Sequence, residues 1–258
     1  MLAEQVVVIA GVGPGLGREV AARCLADGAS VVVAARSGDK LSELAADLDA
    51  GDRILAVPTD ICEADACDAL VASTLERFGR LDGVALVAAH TPMGPAMDSD
   101  LDAWRTAFDV NVIGSVQTVR SAADALADGD GGRVVLIGSQ SSMLPQPEIP
   151  QAGYAASKGA LSTALYFLAQ ELGPRGVTVN CVVPSWMWGP NVQMYCDWKA
   201  SERGLTRDDI AAEIAEGIPT GSIVPDEEVA KAVGFFLSDR SKMITGQHLL
   251  VNGGELMH

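Results

Sequence analysis

The chain has 258 residues, 48% of them apolar and 5% aromatic, and a formal net charge of −16. That length suits one large α/β domain with a sizeable core. A field of that sign repels nucleic acid and anionic membrane surfaces, and no apolar run approaches the ~20 residues that a spanning helix needs, so neither nucleic acid nor membrane is expected as a partner.

Residues 5–10 form a continuous apolar run of strand length, and a glycine cluster and a helical pattern over 16–26 follow. Residues 30–35 are a β-branched run, 41–48 are helical in period, 54–57 form a short strand and 64–78 a helix. A strand over 84–89, one long helix over 101–127 and a strand over 134–137 complete the first half. The second half reads as a helix over 152–172, a strand over 177–183 and an irregular stretch over 184–220 holding three of the four tryptophans. A helix over 227–237 and a last strand over 248–251 follow. The strand runs are apolar throughout, which marks strands covered on both faces. With right-handed βαβ crossovers, that predicts a doubly wound parallel sheet of Rossmann type, in a three-layer α/β/α single domain.

Met1-Leu2-Ala3-Glu4 has no basic segment, so no signal peptide is expected and a cytoplasmic location is. The five cysteines (Cys24, Cys62, Cys67, Cys181, Cys196) form no CxxC pair, and His90, His248 and His258 lack ligand spacing. Buried or half-buried thiols and no catalytic metal are expected.

Gly11, Gly13, Gly15 and Gly17 lie at the junction of the first strand and the first helix, which begins at about Leu16. Glycine there lets the backbone approach a pyrophosphate, and the helix N-terminus offers free N–H groups and partial positive charge. The second strand ends Ala34-Ala35-Arg36-Ser37, with alanine where NAD-binding folds place an acid. Arg36 suits a 2′-phosphate, so NADP(H) is favoured over NAD(H), which stays possible; a solvated surface arginine is the alternative. Asp60 is placed to bond an adenine amine or simply to close a turn. Tyr154 and Lys158 share one face of a helix. A cation ~4 Å from a phenol at an effective dielectric of ~20 favours the phenolate by up to about 4 kcal/mol, or as much as three pKa units, enough to bring a phenol toward neutrality.

These residues together resemble the short-chain dehydrogenase/reductase family, in its branch of about 250 residues, from end to end. Gly11-Val12-Gly13-Pro14-Gly15-Leu16-Gly17 is similar to its GxxxGxG loop, and Tyr154 with Lys158 to its YxxxK pair. Asn111 is similar to the asparagine of its fourth helix, residues 134–139 to the strand ending in its serine, and Ile244-Thr245-Gly246-Gln247 with Asn252-Gly253-Gly254 to its C-terminal strand and turn. The resemblance implies that Tyr154 exchanges a proton with substrate oxygen, that Lys158 lowers its pKa and binds the nicotinamide ribose, and that a serine polarises the carbonyl. It implies that Asn111 supports a proton-relaying water, and that the assembly is a homotetramer or homodimer. Ser139 fits by its place at the strand end, 15 residues before Tyr154, two more than usual; Ser141 has the usual spacing of 13. Ser139 is favoured, with a small insertion at residues 145–150.

Two departures stand out. Val87-Ala88-Ala89-His90 replaces the family's NNAG, so local rigidity is expected to suffer or His90 to face the nicotinamide or substrate, a solvent-bonded turn histidine being the alternative. Pro184-Ser185 replaces Pro-Gly, and the threonine that follows it is absent; the backbone of residues 183–187 is left to hold the carboxamide. Ala88 and Pro184 are counted with the cofactor site. The stretch from Trp186 to Trp198 falls in the family's substrate lid, about residues 185–220. Its tryptophans and methionines, with Met93 and Met143, suggest a large apolar wall for a small apolar alcohol or ketone, or else packing of the lid on itself or on another subunit. The competing function is a catalytically silent NADP-binding regulator or scaffold; a nucleotide-sugar epimerase needs more chain after Lys158 than is present.

Overall fold

A computed structural model describes residues 1–129, 131–146 and 149–257. Seven strands, β1 (Val6–Ala10), β2 (Ser30–Ala35), β3 (Ile54–Pro58), β4 (Gly83–Leu86), β5 (Arg133–Ile137), β6 (Thr178–Pro184) and β7 (His248–Val251), pair in parallel in the order β3-β2-β1-β4-β5-β6-β7. Because side chains alternate across a strand, each unbroken apolar run feeds two cores. Val8 and Ala10 of β1, Val84 and Leu86 of β4, and Val134 and Leu136 of β5 enter one. Val7, Ile9, Ala85, Val135 and Ile137 enter the other. Helices α3 (Ala64–Phe78), α5 (Ser115–Ala127) and α6 (Ala152–Leu172) cover the first core; α1 (Leu16–Ala26), α2 (Gly38–Asp47) and α9 (Asp226–Leu237) cover the second. This is a Rossmann-type sheet in a single domain.

The sheet order reverses between β1 and β4. The crevice beyond the C-terminal ends of the strands at such a point is where open α/β sheets bind ligands.

The expected long helix over 101–127 is two helices. A π-helical turn at Asp109–Gly114 separates α4 (Leu101–Phe108) from α5. The inserted turn re-aims residues without disturbing the apolar spacing, so the pattern does not announce it. Residues 184–220 are more ordered than expected: α7 (Pro190–Arg203) and α8 (Arg207–Glu216) lie within them. Their amphipathic period is weak, although the start signals are present, with Pro190 at the first turn of α7 and a Thr206–Asp209 capping box on α8. Residues 87–89, read as the end of a strand, leave the sheet and enter the cleft wall. Four cysteines are buried, but Cys62 is exposed, contrary to expectation, because it follows Asp60 in a surface turn.

Candidate active site

A cleft of about 1230 Å³ opens over the C-terminal ends of β1, β2, β4, β5 and β6. Its nucleotide end is built by the glycine loop. Gly11 has a φ of +101°, and a Cβ there would lie 2.1 Å from the Ala88 nitrogen, so the ends of β1 and β4 can only meet this closely at glycine. Gly13 differs: a Cβ there would meet nothing within 4 Å, because its face looks into open cleft. That open face, together with an α1 N-terminus that carries no side-chain cap, fits an anionic dinucleotide backbone. Gly15, Leu16, Gly17, Arg36, Asp60, Ala88 and Pro184 all line the same cleft. Arg36 is exposed at its edge, with no ion pair among the described residues. Asp60 accepts a turn bond from the Cys62 N–H at 3.0 Å.

At the other end, Ser139 comes from the end of β5 and Tyr154 and Lys158 from the first turns of α6. The Ser139 hydroxyl lies 2.8 Å from the Ser141 hydroxyl, and it is Ser139 whose side chain acts to lower the Tyr154 phenol. Both serines line the cleft. Lys158 is 1% exposed, and its Nζ donates to the Ile137 carbonyl at 2.7 Å while lying 5.7 Å from the Tyr154 ring centre. Burial pushes the Lys158 ammonium down to about 8. Burial also pushes the Tyr154 phenol up, against a lowering hydrogen bond from Ser139. This reverses the sequence expectation of a lowered phenol: desolvation penalises the phenolate, and the nearby ammonium directs a proton at a carbonyl rather than at the phenol oxygen.

Asn111 sits on the π-helical turn, fully buried. Its Oδ1 accepts from the His90 N–H at 2.7 Å, and its Nδ2 donates to the His90 carbonyl at 2.9 Å and to the Ser157 hydroxyl at 2.8 Å. The segment 87–90 is thus clamped by Asn111, which offsets the missing asparagines of the resembled motif. His90 is half-buried and lines the cleft. Sequence reasoning missed two supports. Ser157 takes a bond from Asn111, and Gln140, beside Ser139, is held through its Oε1 by Asn252 Nδ2 at 2.7 Å. Neither had a signal beyond proximity to a motif.

The cleft has an aromatic wall: Trp186 packs 5.3 Å from Tyr195, which packs 6.0 Å from Trp198. Met93, Met187 and Met194 line it too. Met143 does not; it packs on the sheet core. Trp188 turns away to join Cys196, Ala200 and Ile210 between α7 and α8. The stretch thus packs partly on itself and partly lines the cleft. Residues 147 and 148 of the expected insertion, and His258, lie outside the described residues. Among the described residues no helix is long and apolar enough to cross a membrane, and no cluster of three or more His, Cys, Asp or Glu side chains could hold a metal.

A dinucleotide-fitting crevice with a Tyr–Lys–Ser cluster at its far end defines the class as a Rossmann-type nucleotide-dependent oxidoreductase. The family model described as enoyl-(acyl carrier protein) reductase matches residues 11–255. The chain is 32% identical over 252 residues to the short-chain reductase protein NovJ of Streptomyces niveus, covering 97% of this chain and 94% of that protein. It is 30% identical over 261 residues to 3beta-hydroxysteroid dehydrogenase 1 of Eggerthella lenta, covering 100% and 95%. The 3-ketoacyl-(acyl-carrier-protein) reductase of Brucella melitensis, solved with NADH, superposes with a TM-score of 0.85 at 26% identity, covering all of both chains. The chain belongs to the short-chain dehydrogenase/reductase family, whose members are oxidoreductases using NAD(P)(H).

Proposed function

We propose that this chain interconverts a secondary alcohol and a ketone on a small, largely apolar substrate, using NADP(H) in preference to NAD(H). The observation that carries the reading is the convergence of Ser139, Tyr154 and the buried Lys158 on one cleft whose outer wall is Trp186, Tyr195 and Trp198. The dinucleotide supplies or takes the hydride at its nicotinamide when bound. The loop from Gly11 to Gly17 holds its pyrophosphate, Arg36 its 2′-phosphate, Asp60 its adenine, and Ala88 and Pro184 wall its nicotinamide half.

Ser139 orients the substrate oxygen, and Tyr154 gives that oxygen a proton on reduction or takes one on oxidation. Lys158 holds the nicotinamide ribose, and its cation favours the phenolate once the phenol must part with its proton. Asn111 keeps the π-helical turn and residue 90 in register with Lys158. Among the described residues, the cleft around Tyr154 is lined mainly by Met93, Ile149, Trp186, Met194, Tyr195 and Trp198, which suits a largely apolar ketone. The relationship to a hydroxysteroid dehydrogenase supports the same chemistry. Residues 185–220 act as the lid over this end. The exposed Tyr166 and Phe167 of α6 and Leu249 of β7 support assembly as a homotetramer or homodimer, and a cytoplasmic location completes the reading.

The test is tryptophan quenching by NADPH and by NADH, followed in the same cuvette by a panel of apolar ketones watched at the reduced-nicotinamide absorbance. Tighter NADPH binding with ketone-dependent loss of absorbance is expected. Tight binding with no turnover in either direction would support the silent regulator instead. Tyr154→Phe is expected to lower kcat by at least ~100-fold with cofactor affinity within a few fold; unaltered turnover would remove Tyr154 from the chemistry.

A further inference from the structure

Asp226 opens α9 in the run Asp226-Glu227-Glu228, which reads as an ordinary acidic first turn complementing the helix dipole. Glu227 and Glu228 are exposed and suit that role. Asp226 is 8% exposed, and among the described residues nothing hydrogen-bonds its Oδ1. Its carboxyl is wedged between two segments of the dinucleotide cleft. A Cβ on Gly189, just before α7, would lie 3.1 Å from Oδ2 and 3.3 Å from Oδ1; a Cβ on Gly15 would lie 3.7 Å from Oδ2 and 3.2 Å from Pro190 Cδ. Gly15, Gly189 and Pro190 face the cleft, with the carboxyl behind them. The glycine loop, the start of α7 and α9 thus meet at one acidic group.

We propose that Asp226 is a positioning residue for the dinucleotide, joining the glycine loop to the start of α7 as a neutral carboxyl and loosening that joint on ionisation, so that nucleotide affinity falls as the carboxyl loses its proton. The inference rests on the nucleotide-binding reading above. A buried carboxylate with an oxygen lacking a donor is costly in its charged form. The charged groups reaching it have its own sign: Glu227 on α9 and Glu19 on α1, the latter partly offset by Arg18 at 2.8 Å; the α7 side presents uncharged Gly189 and Pro190. Burial first, then Glu227 and Glu19, lift the carboxyl to about 6. A pyrophosphate across Gly15 adds negative charge and lifts it further. Binding is therefore favoured by the protonated form. Affinity falls as pH rises through the titration of the free protein and levels off above that of the complex, with each unit between the two worth tenfold.

The experiment is calorimetric titration with ADP-ribose at pH 5.5, 6.5 and 8. This probe keeps the pyrophosphate but lacks the nicotinamide and the 2′-phosphate, so neither Tyr154 chemistry nor a titrating phosphate monoester enters. The wild-type Kd is expected to rise about tenfold from pH 5.5 to 8, with fractional proton uptake when two buffers of different ionisation heat are compared. Asp226→Asn is expected to abolish both and to bind at pH 8 as tightly as wild type does at pH 5.5. Asp226→Ser is a smaller neutral check should the amide fail to fold. ADP-ribose binding with no pH dependence, or with the same dependence in both variants, would overturn the role of Asp226. No binding at any pH would instead remove the nucleotide reading, and this inference with it.

Discussion

Replacing Asn111 by alanine removes three hydrogen bonds at once, two to the backbone of His90 and one to the Ser157 hydroxyl. The residue is fully buried, so water cannot readily replace the lost partners. At a net ~1 kcal/mol for each bond, and ~1–3 kcal/mol for a buried group left without a partner, the variant is expected to lose about 3 kcal/mol. For a chain of this length each kcal/mol lowers Tm by ~2–4 °C, which gives a fall of about 6–12 °C. Asn111→Asp keeps the acceptor for the His90 N–H but not the amide donor, and it buries a charge, so it should be no more stable than alanine. Thermal unfolding followed by circular dichroism measures the loss. Nucleotide titration at a temperature where both variants are folded measures whether residues 87–90 still shape the nicotinamide wall. A fall below about 2 °C would show that the clamp contributes little and that the π-helical turn is held by packing alone.

Arg36→Asp should weaken NADPH binding about tenfold while leaving NADH binding nearly unchanged; one solvent-screened charge-assisted contact accounts for a factor of this size. Equal effects on both nucleotides would remove Arg36 from phosphate recognition. Trp198→Ala should raise KM for apolar ketones roughly fivefold, the loss of ~1 kcal/mol of aromatic contact, with kcat little changed; an unchanged KM would place the substrate elsewhere in the cleft. Asp226→Asn should also stabilise the fold in a pH-dependent way. Its carboxyl titrates near 6 rather than at its ordinary 3.8. It therefore costs nothing below about pH 3, where both states are protonated, and a growing amount up to about pH 6. The cost is then constant at about 1–3 kcal/mol. Urea unfolding at pH 4 and pH 8 should show a much smaller gain at pH 4 than at pH 8; an equal gain at both would refer it to packing rather than charge.

Much of the sheet is written in short, unbroken β-branched runs such as Val31-Val32-Val33, whose both-sided burial excludes alternation and requires covering helices. The glycine loop is legible because its spacing meets a need of backbone geometry, as Gly11 against Ala88 demonstrates. Tyr154 and Lys158 are legible because helical periodicity puts them together. What escaped reading depends on contacts between distant segments. The π-helical turn follows from Asn111 reaching across to His90, which no local pattern encodes. α7 and α8 have start signals but a weak apolar period, since their buried residues face each other rather than the sheet. The direction of the Tyr154 shift depends on how much burial surrounds it, and the position of Asp226 on three segments converging; neither quantity lies in any window of sequence.

The cluster of Trp188, Cys196, Ala200 and Ile210 gives α7 and α8 a small core of their own. The pair joins the sheet through two strands of chain that run side by side, bridged at Met187 and Val224. Residues 187–224 are in effect a cassette, with its own internal packing and both of its ends at one seam. Exchanging that cassette between relatives would swap Tyr195 and Trp198 of the aromatic wall while keeping Trp186 and the Tyr154–Lys158 pair, and would have to preserve the contact of Pro190 with Gly15. Such an exchange would change most of one cleft wall as a unit, provided the fit of residues 218–220 against Gly253 and Gly254 is kept.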